Sequence, residues 1–339
     1  MIRTCLLRTG IINLPYRQVP ILATNCARNF AVKLDIQGAK NLIKDGYTAQ
    51  EKKDFPTCLS YFEGGVAILE KSKDPKDQMM LAVTYNNLAE VLRELEKSRI
   101  SVNQKNRKYG FVDIKKLLSK AEGILRQVKP ADKIEEEEIT LVLAGFLNTQ
   151  GLYQFENVKN YTLAQQIFSN NSEAIDQATT KSYNKELIYL ELLLLGIKTK
   201  HNIAQCQLIR NLPAYDTFKD ATHAFDKLTN LYPVNALYHK MNLTMLNSMG
   251  LIKLNEKEYE AALEHFKTAL SLISGEIKKG QEQPNLQTIA LSELGATLNN
   301  IATAHFKMKD LQTSEMYFRQ ALYIYENTPV GLIRIQSLV

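Results

Sequence analysis

Tryptophan is absent from the 339 residues, and glycine and proline are scarce, at 15 and nine. Strand-rich folds need a turn about every 8–12 residues and place glycine and proline in most of them, so the shortage argues against a β-fold. Four cysteines without a CxxC pair exclude a disulfide scaffold and supply no metal-ligand spacing. No apolar run approaches the roughly 20 residues of a membrane span. The longest, Tyr189 to Ile197, is nine residues and already holds Glu191. With a mean hydropathy of −0.24 and ample length for a core, the composition predicts a soluble, all-α protein.

Catalytic signatures are missing as well. The five histidines (201, 223, 239, 265 and 305) form no HExxH, HxH or helical His-x3-His pattern. There is no P-loop, GxGxxG or GxSxG, so phosphate cradling and a nucleophile elbow have no support. No enzyme activity, cofactor or metal is expected. Carboxylates such as the Glu135–Glu138 run read as a solvated, dipole-complementing first turn of a helix rather than an acid–base pair.

Residues 1–30 lack acidic side chains altogether and carry Arg3, Arg8, Arg17 and Arg28 among hydroxyl and apolar residues. That is the composition of a mitochondrial transit peptide, and Arg28-Asn29-Phe30-Ala31 resembles a matrix-processing site. Arg8 and Arg17 interrupt the apolar centre a secretory signal would need. A mitochondrial destination follows as the expectation, the matrix ahead of the intermembrane space. Four of the 42 basic residues and none of the 36 acidic ones lie in this leader, so the remainder is close to neutral at +2. The pI of about 8.9 therefore owes much to the leader, and a nucleic-acid groove, which requires a dense basic face, is not expected.

What is present is repetition. Leu246, Met249 and Gly250 are followed, after a turn, by Tyr259, Ala262, Phe266, Ala269 and Leu270. Fifty-two residues on, Leu298, Ile301 and Ala302 precede Leu311, Ser314, Phe318, Ala321 and Leu322. Spacings of three and four make each half an amphipathic helix. Small residues at 250/302, 262/314 and 269/321 allow two antiparallel helices to approach closely, with Phe266 and Phe318 filling space between neighbouring hairpins. Fainter units follow the same phase: Leu42, Gly46, Phe55, Cys58, Phe62 and Gly65; then Tyr85 to Leu92 with Phe111 to Val128. Next come Leu147, Gly151, Tyr161, Ala164 and Phe168, and finally a helix from about 182 to 209 feeding Phe218 to Leu228. Pro75, Pro130, Pro213, Pro233, Pro284 and Pro329 all fall between these helices, as interior prolines cost about 3 kcal/mol.

This pattern resembles the tetratricopeptide repeat family, in which an apolar residue and an aliphatic–small pair mark the first helix and alanine–aromatic–alanine the second. It departs from the family at Lys253, where an aromatic is usual; His305 fills the equivalent place. The 52-residue spacing exceeds the family's minimum of about 34 and, with the Asn-Asn pairs, is similar to kinesin-light-chain-like members. The resemblance implies a right-handed α-solenoid of about six hairpins over 36–327, between the 1–30 leader and a 328–339 tail. Carried over from the family, the concave groove would present Asn86, Asn247 and Asn299, with Glu90, Arg93, Thr303 and Lys307 nearby. Amides both donate and accept, so an asparagine row suits the backbone of an extended peptide. The dicarboxylate clamp of chaperone-binding members needs more cations than Arg93 and Lys307. The resemblance implies a non-catalytic mitochondrial scaffold, adaptor or assembly factor that binds protein or extended peptide. The alternatives are a structural subunit of a respiratory or ribosomal complex and an RNA-binding array, though pentatricopeptide-like arrays keep a near-constant period and a basic groove. The basic stretch 97–108 is a candidate contact with anionic lipid or rRNA phosphate.

Overall fold

The computed structural model describes residues 30–52, 54–97, 113–129, 133–181, 186–231, 236–279 and 284–327. The leader 1–29, residues 98–108 of the basic stretch, Pro130, Pro233, Pro329 and the 328–339 tail lie outside them. Among the described residues the chain is helical throughout, with no strand. It falls into two compact units divided between Leu212 and Pro213.

The first unit holds α1 (Phe30–Glu51), α2 (Phe55–Leu69), α3 (Pro75–Lys97), α4 (Ile114–Leu125), α5 (Lys133–Leu152), α6 (Tyr161–Lys181) and α7 (Glu186–Ile209). Successive helices pair as antiparallel hairpins α1/α2, α3/α4 and α5/α6, and α7 packs on α5 and α6. The second unit holds α8 (Tyr215–Leu231), α9 (Ala236–Asn255), α10 (Tyr259–Lys279), α11 (Pro284–Lys307) and α12 (Leu311–Asn327), with hairpins α9/α10 and α11/α12. Each unit is thus a stack of hairpins of the α-solenoid kind. The helices expected as the fourth hairpin, α7 and α8, fall on either side of the division. A π-helical turn, Tyr153–Val158, extends α5; the sequence pattern did not announce it.

Local chemistry accounts for the boundaries. Pro75 and Pro284 open α3 and α11, and Pro56 sits in the first turn of α2, where a missing N–H costs nothing. Asp54 caps α2 by accepting from the Thr57 N–H at 3.2 Å. The Glu135–Glu138 run lies near the start of α5. Turns inside hairpins share one left-handed residue: Lys159 (φ 61°), Asn211 (φ 55°), Lys257 (φ 66°) and Lys309 (φ 65°). After the last three the chain bonds back five residues, as from the Glu258 N–H to Lys253 C=O at 2.9 Å and from Asp310 N–H to His305 C=O at 3.0 Å. This is the closure that usually recruits glycine. Here the flanking residues hold it instead. Lys253 pairs with Glu256 and Glu258, and at the equivalent place His305 meets Asp310 at 3.1 Å. The departure at Lys253 therefore serves the turn.

Hairpin closure depends on a glycine facing a ring. A Cβ on Gly250 would stand 2.3 Å from the Phe266 ring; on Gly151, 2.4 Å from Phe168; on Gly46, 2.6 Å from Phe62. All three phenylalanines are fully buried. Phe266 also joins Ile301 and Ala304 of the next hairpin. Phe318 departs from the expectation, being 39% exposed. Its hairpin has Ala302 where these three have glycine, so the ring cannot enter the cleft as Phe266 does. Ser314 closes the gap instead, its hydroxyl donating to the Ala302 carbonyl at 2.9 Å.

Gly250→Ala should lower stability by about 1–3 kcal/mol through overpacking, and Phe266→Ala by about 3–5 kcal/mol through the cavity it leaves. Because the new methyl would occupy space vacated by the ring, the double variant should cost less than the sum. Urea unfolding of the four proteins reads this out; strict additivity would refute the contact.

Candidate functional site

In the first unit α3, α5 and α7 are the leading helices of successive hairpins, and their facing sides enclose a cleft of about 60 Å³. Its apolar lining comes from Ala82, Val83, Leu141, Val142 and Leu195. Its polar lining is Asn86, Asn87 and Glu90 from α3, Asn148 and Thr149 from α5, and Lys198 from α7. Glu90 and Lys198 belong to one electrostatic pair. Burial pushes the Glu90 carboxyl above its ordinary range, and Arg93 and Lys198 pull it back. Burial lowers Lys198, and Glu90 opposes that. The Asn86 Oδ1 is buried and has no hydrogen-bond partner. An orphaned acceptor of this kind costs about 1–3 kcal/mol unless something donates to it.

The sequence-predicted residues divide between the two units. Asn86 and Glu90 line the cleft. Arg93, on the same helix, is buried and pairs with Glu156 of the π-turn and with Glu94. Lys97 joins Glu156 at 2.9 Å. Arg93 thus ties α3 to the end of α5. In the second unit Asn299 and Thr303 are half-buried on α11, with the Thr303 hydroxyl donating to the Asn299 carbonyl at 2.8 Å, and Lys307 is exposed. Asn247 is buried, and its amide is committed: Nδ2 donates to the Thr297 hydroxyl at 3.0 Å and Oδ1 accepts from Asn300 at 3.2 Å.

That commitment is one instance of a recurring device. Asn87-Leu88-Ala89, Asn202-Ile203-Ala204 and Asn300-Ile301-Ala302 share a pattern. In each, the asparagine donates its amide to the leading helix of the hairpin before: Asn87 to the Tyr47 hydroxyl at 2.7 Å, Asn202 to Asn148 Oδ1 at 3.0 Å, Asn300 to Asn247 Oδ1. The asparagines therefore set the register between stacked hairpins inside each unit. Sequence reasoning missed this, and missed Lys198 and Asn148. The available signal was an asparagine preceding the aliphatic–small pair in each of three helices, and a lysine directly after the apolar run Leu192–Ile197, seven residues after Glu191.

Cys58 and Cys206 are buried, with thiols pushed up by desolvation to about 12 and about 11, which leaves them unreactive. Among the described residues no group of histidine, cysteine and carboxylate side chains is placed to hold a metal, and no helix is long and apolar enough to cross a membrane.

Two family models, each described as Tetratricopeptide repeat, match residues 243–275 and 294–328. These are the hairpins α9/α10 and α11/α12, so the second unit carries tetratricopeptide repeats, and such repeats point to a protein-interaction scaffold and away from catalysis. No curated protein matches the chain. Among solved structures, BtubC (BKLC) from P. vanneervenii aligns at 14% identity and a TM-score of 0.45, covering 91% of this chain and 98% of that one. A Rap protein complexed with competence and sporulation factor aligns at 13% and 0.44, covering 87% and 76%. The apo form of RapI aligns at 14% and 0.46, covering 85% and 97%.

Asn247→Ala should destabilise the second unit by about 1–3 kcal/mol, since it leaves the Thr297 hydroxyl and Asn300 amide unpaired; an unchanged melting curve would refute the register role. A pH effect arises at His201, which burial holds down at about 4. The unfolded chain takes up its proton first as pH falls below about 6.5, so stability present at neutral pH is lost through the window down to about 4. Between pH 6.5 and 4.5 the loss from this group should be about 2 kcal/mol. His201→Gln should flatten that slope in urea titrations at the two pH values.

Proposed function

We propose that the chain is a non-catalytic mitochondrial scaffold, adaptor or assembly factor whose first unit holds an extended segment of a partner protein in the cleft between α3, α5 and α7. The observation that carries the reading is the buried Asn86 Oδ1 without a donor, set in a cleft lined by both polar and apolar side chains. A peptide group supplies the missing N–H, and its carbonyl can accept from the amides or the ammonium that line the same cleft. A cleft of about 60 Å³ suits one residue of an extended chain at a time, with the neighbouring residues lying along the open face. The acid-free, arginine-bearing leader supports delivery to mitochondria. Together with the 52-residue repeat spacing it resembles tetratricopeptide repeat protein 19, linked to respiratory complex III, and assembly of a respiratory complex is the setting this resemblance suggests. A second reading, a permanent subunit of a large mitochondrial complex, draws support from Phe306 and Leu311, exposed at 54% and 62% beside the last turn.

Gly145 provides the test. It lines the cleft and has open space where a Cβ would go. Gly145→Leu should fill the cleft while leaving α5 intact or slightly firmer, by up to about 1 kcal/mol of helix propensity. Affinity capture from mitochondrial extract should then recover at least about tenfold less of the co-purifying proteins, which corresponds to about 1.4 kcal/mol of binding. Gly275→Leu, equally open on α10, should leave recovery unchanged. Equal recovery by Gly145→Leu would exclude the cleft. Sedimentation of the native protein solely in a large particle would favour the second reading, and a reporter fused to residues 1–30 that stays cytosolic would remove the mitochondrial part.

A further inference from the structure

The final described helix carries an open apolar stripe. Leu311, Phe318 and Leu322 are 62%, 39% and 55% exposed. At about 100° per residue they fall within about 40° of one another on α12. Fifty-two residues earlier, Tyr259, Phe266 and Leu270 occupy the same places on α10, and none of them is exposed. All three belong to the cluster that includes Ile301 and Ala304 of α11. The internal repeat therefore makes the stripe a stacking surface for a helix. A head-to-tail stack, with α1 of another copy as that helix, does not match it. The exposed side chains described on α1 are Gln37, Asn41, Lys44, Asp45 and Thr48, all polar.

The stripe is instead complementary to itself. When two α12 helices lie antiparallel about a two-fold axis, each edge of one stripe meets the same edge of the other. Phe318 then lies on Phe318 of the second copy, and Leu311 on its Leu322. Glu315 and Arg319 run along one edge of the stripe, paired with each other at 2.7 Å, their side chains 64% and 78% exposed. Across the axis Glu315 faces Arg319 of the second copy, and Arg319 faces its Glu315. Aromatic, aliphatic and charged pairings all set the axis beside Tyr317 or Phe318, agreeing to about 2 Å along the helix at a rise of about 1.5 Å per residue. Three kinds of contact thus ask for one register.

We propose that a second copy of the chain covers this stripe, with the two α12 helices antiparallel across a two-fold axis. Phe318 sits at the centre, Leu311 and Leu322 close the two ends, and the four charges line one rim. There they fix register and exclude wrong partners more than they add affinity.

Sedimentation equilibrium of the full chain tests this. The mass should rise from one chain to two between about 1 and 100 μM, as for a small interface. Leu322→Asp should raise the dissociation constant at least about tenfold. Gln320→Asp adds the same charge at an exposed position turned well away from Leu322, and should leave the constant unchanged. Glu315→Arg puts two cations on each rim and Arg319→Glu two carboxylates, so either variant alone should dissociate about tenfold more readily. An equimolar mixture of those two should associate as tightly as the native chain, because every cation then faces a carboxylate. A single-chain mass throughout, or a dimer indifferent to Leu322→Asp, would overturn the proposal. A mixture that fails to recover the native constant would overturn it too, since the register is part of it.

Discussion

Contact between a helix backbone and the flat of an aromatic ring is the constraint on which the hairpins depend. At Gly46, Gly151 and Gly250 the ring of Phe62, Phe168 or Phe266 lies closer than any Cβ would allow. Two helices meeting in this way exclude water from a strip several turns long, and the buried aliphatic residues on either side complete it. Everything else about the stack follows from the helices being that near. The turns at Lys159, Asn211, Lys257 and Lys309 are tight enough to need a left-handed residue, and the next leading helix lies against the outer side of the ring-bearing one, as Ile301 and Ala304 do beside Phe266.

Stacking then introduces a second, polar layer of control. Apolar surfaces between hairpins tolerate sliding, because dispersion and burial are not directional. The asparagines between hairpins remove that freedom. Asn87, Asn202 and Asn300 each reach one hairpin back to a defined oxygen, and a slip of one turn would leave both partners unpaired at buried or half-buried positions. The Arg93–Glu156 pair does the same at the far end of α3 and α5. The first unit's cleft is what remains where the polar layer is not self-satisfied, at Asn86 Oδ1.

The hairpins were legible in the sequence because their code is spatially compact: a small residue on one helix and an aromatic on the other, at fixed offsets. Gly46 with Phe62 and Gly151 with Phe168 follow it even where the surrounding pattern is faint. Ala302 shows the limit of pattern matching. Alanine and glycine are both small, yet one methyl decides whether a ring enters the hairpin, and Phe318 lies outside. The asparagines were harder to read, because an amide that binds a peptide and an amide that binds a neighbouring helix look identical in one dimension. Asn247 belongs to the second kind. Lys198 was hidden for another reason: its electrostatic partner Glu90 is more than a hundred residues away, and only the stacking of α3, α5 and α7 brings them to one cleft.

Within each unit, helices make most of their contacts with the helices immediately before and after them in the chain. Such a topology has a low contact order, so little loop-closure entropy opposes each step of folding. A hairpin is complete once its roughly fifty residues have emerged from a ribosome or a pore, without waiting for distant segments to arrive. The first unit can thus acquire its core, cleft included, while the second is still being delivered.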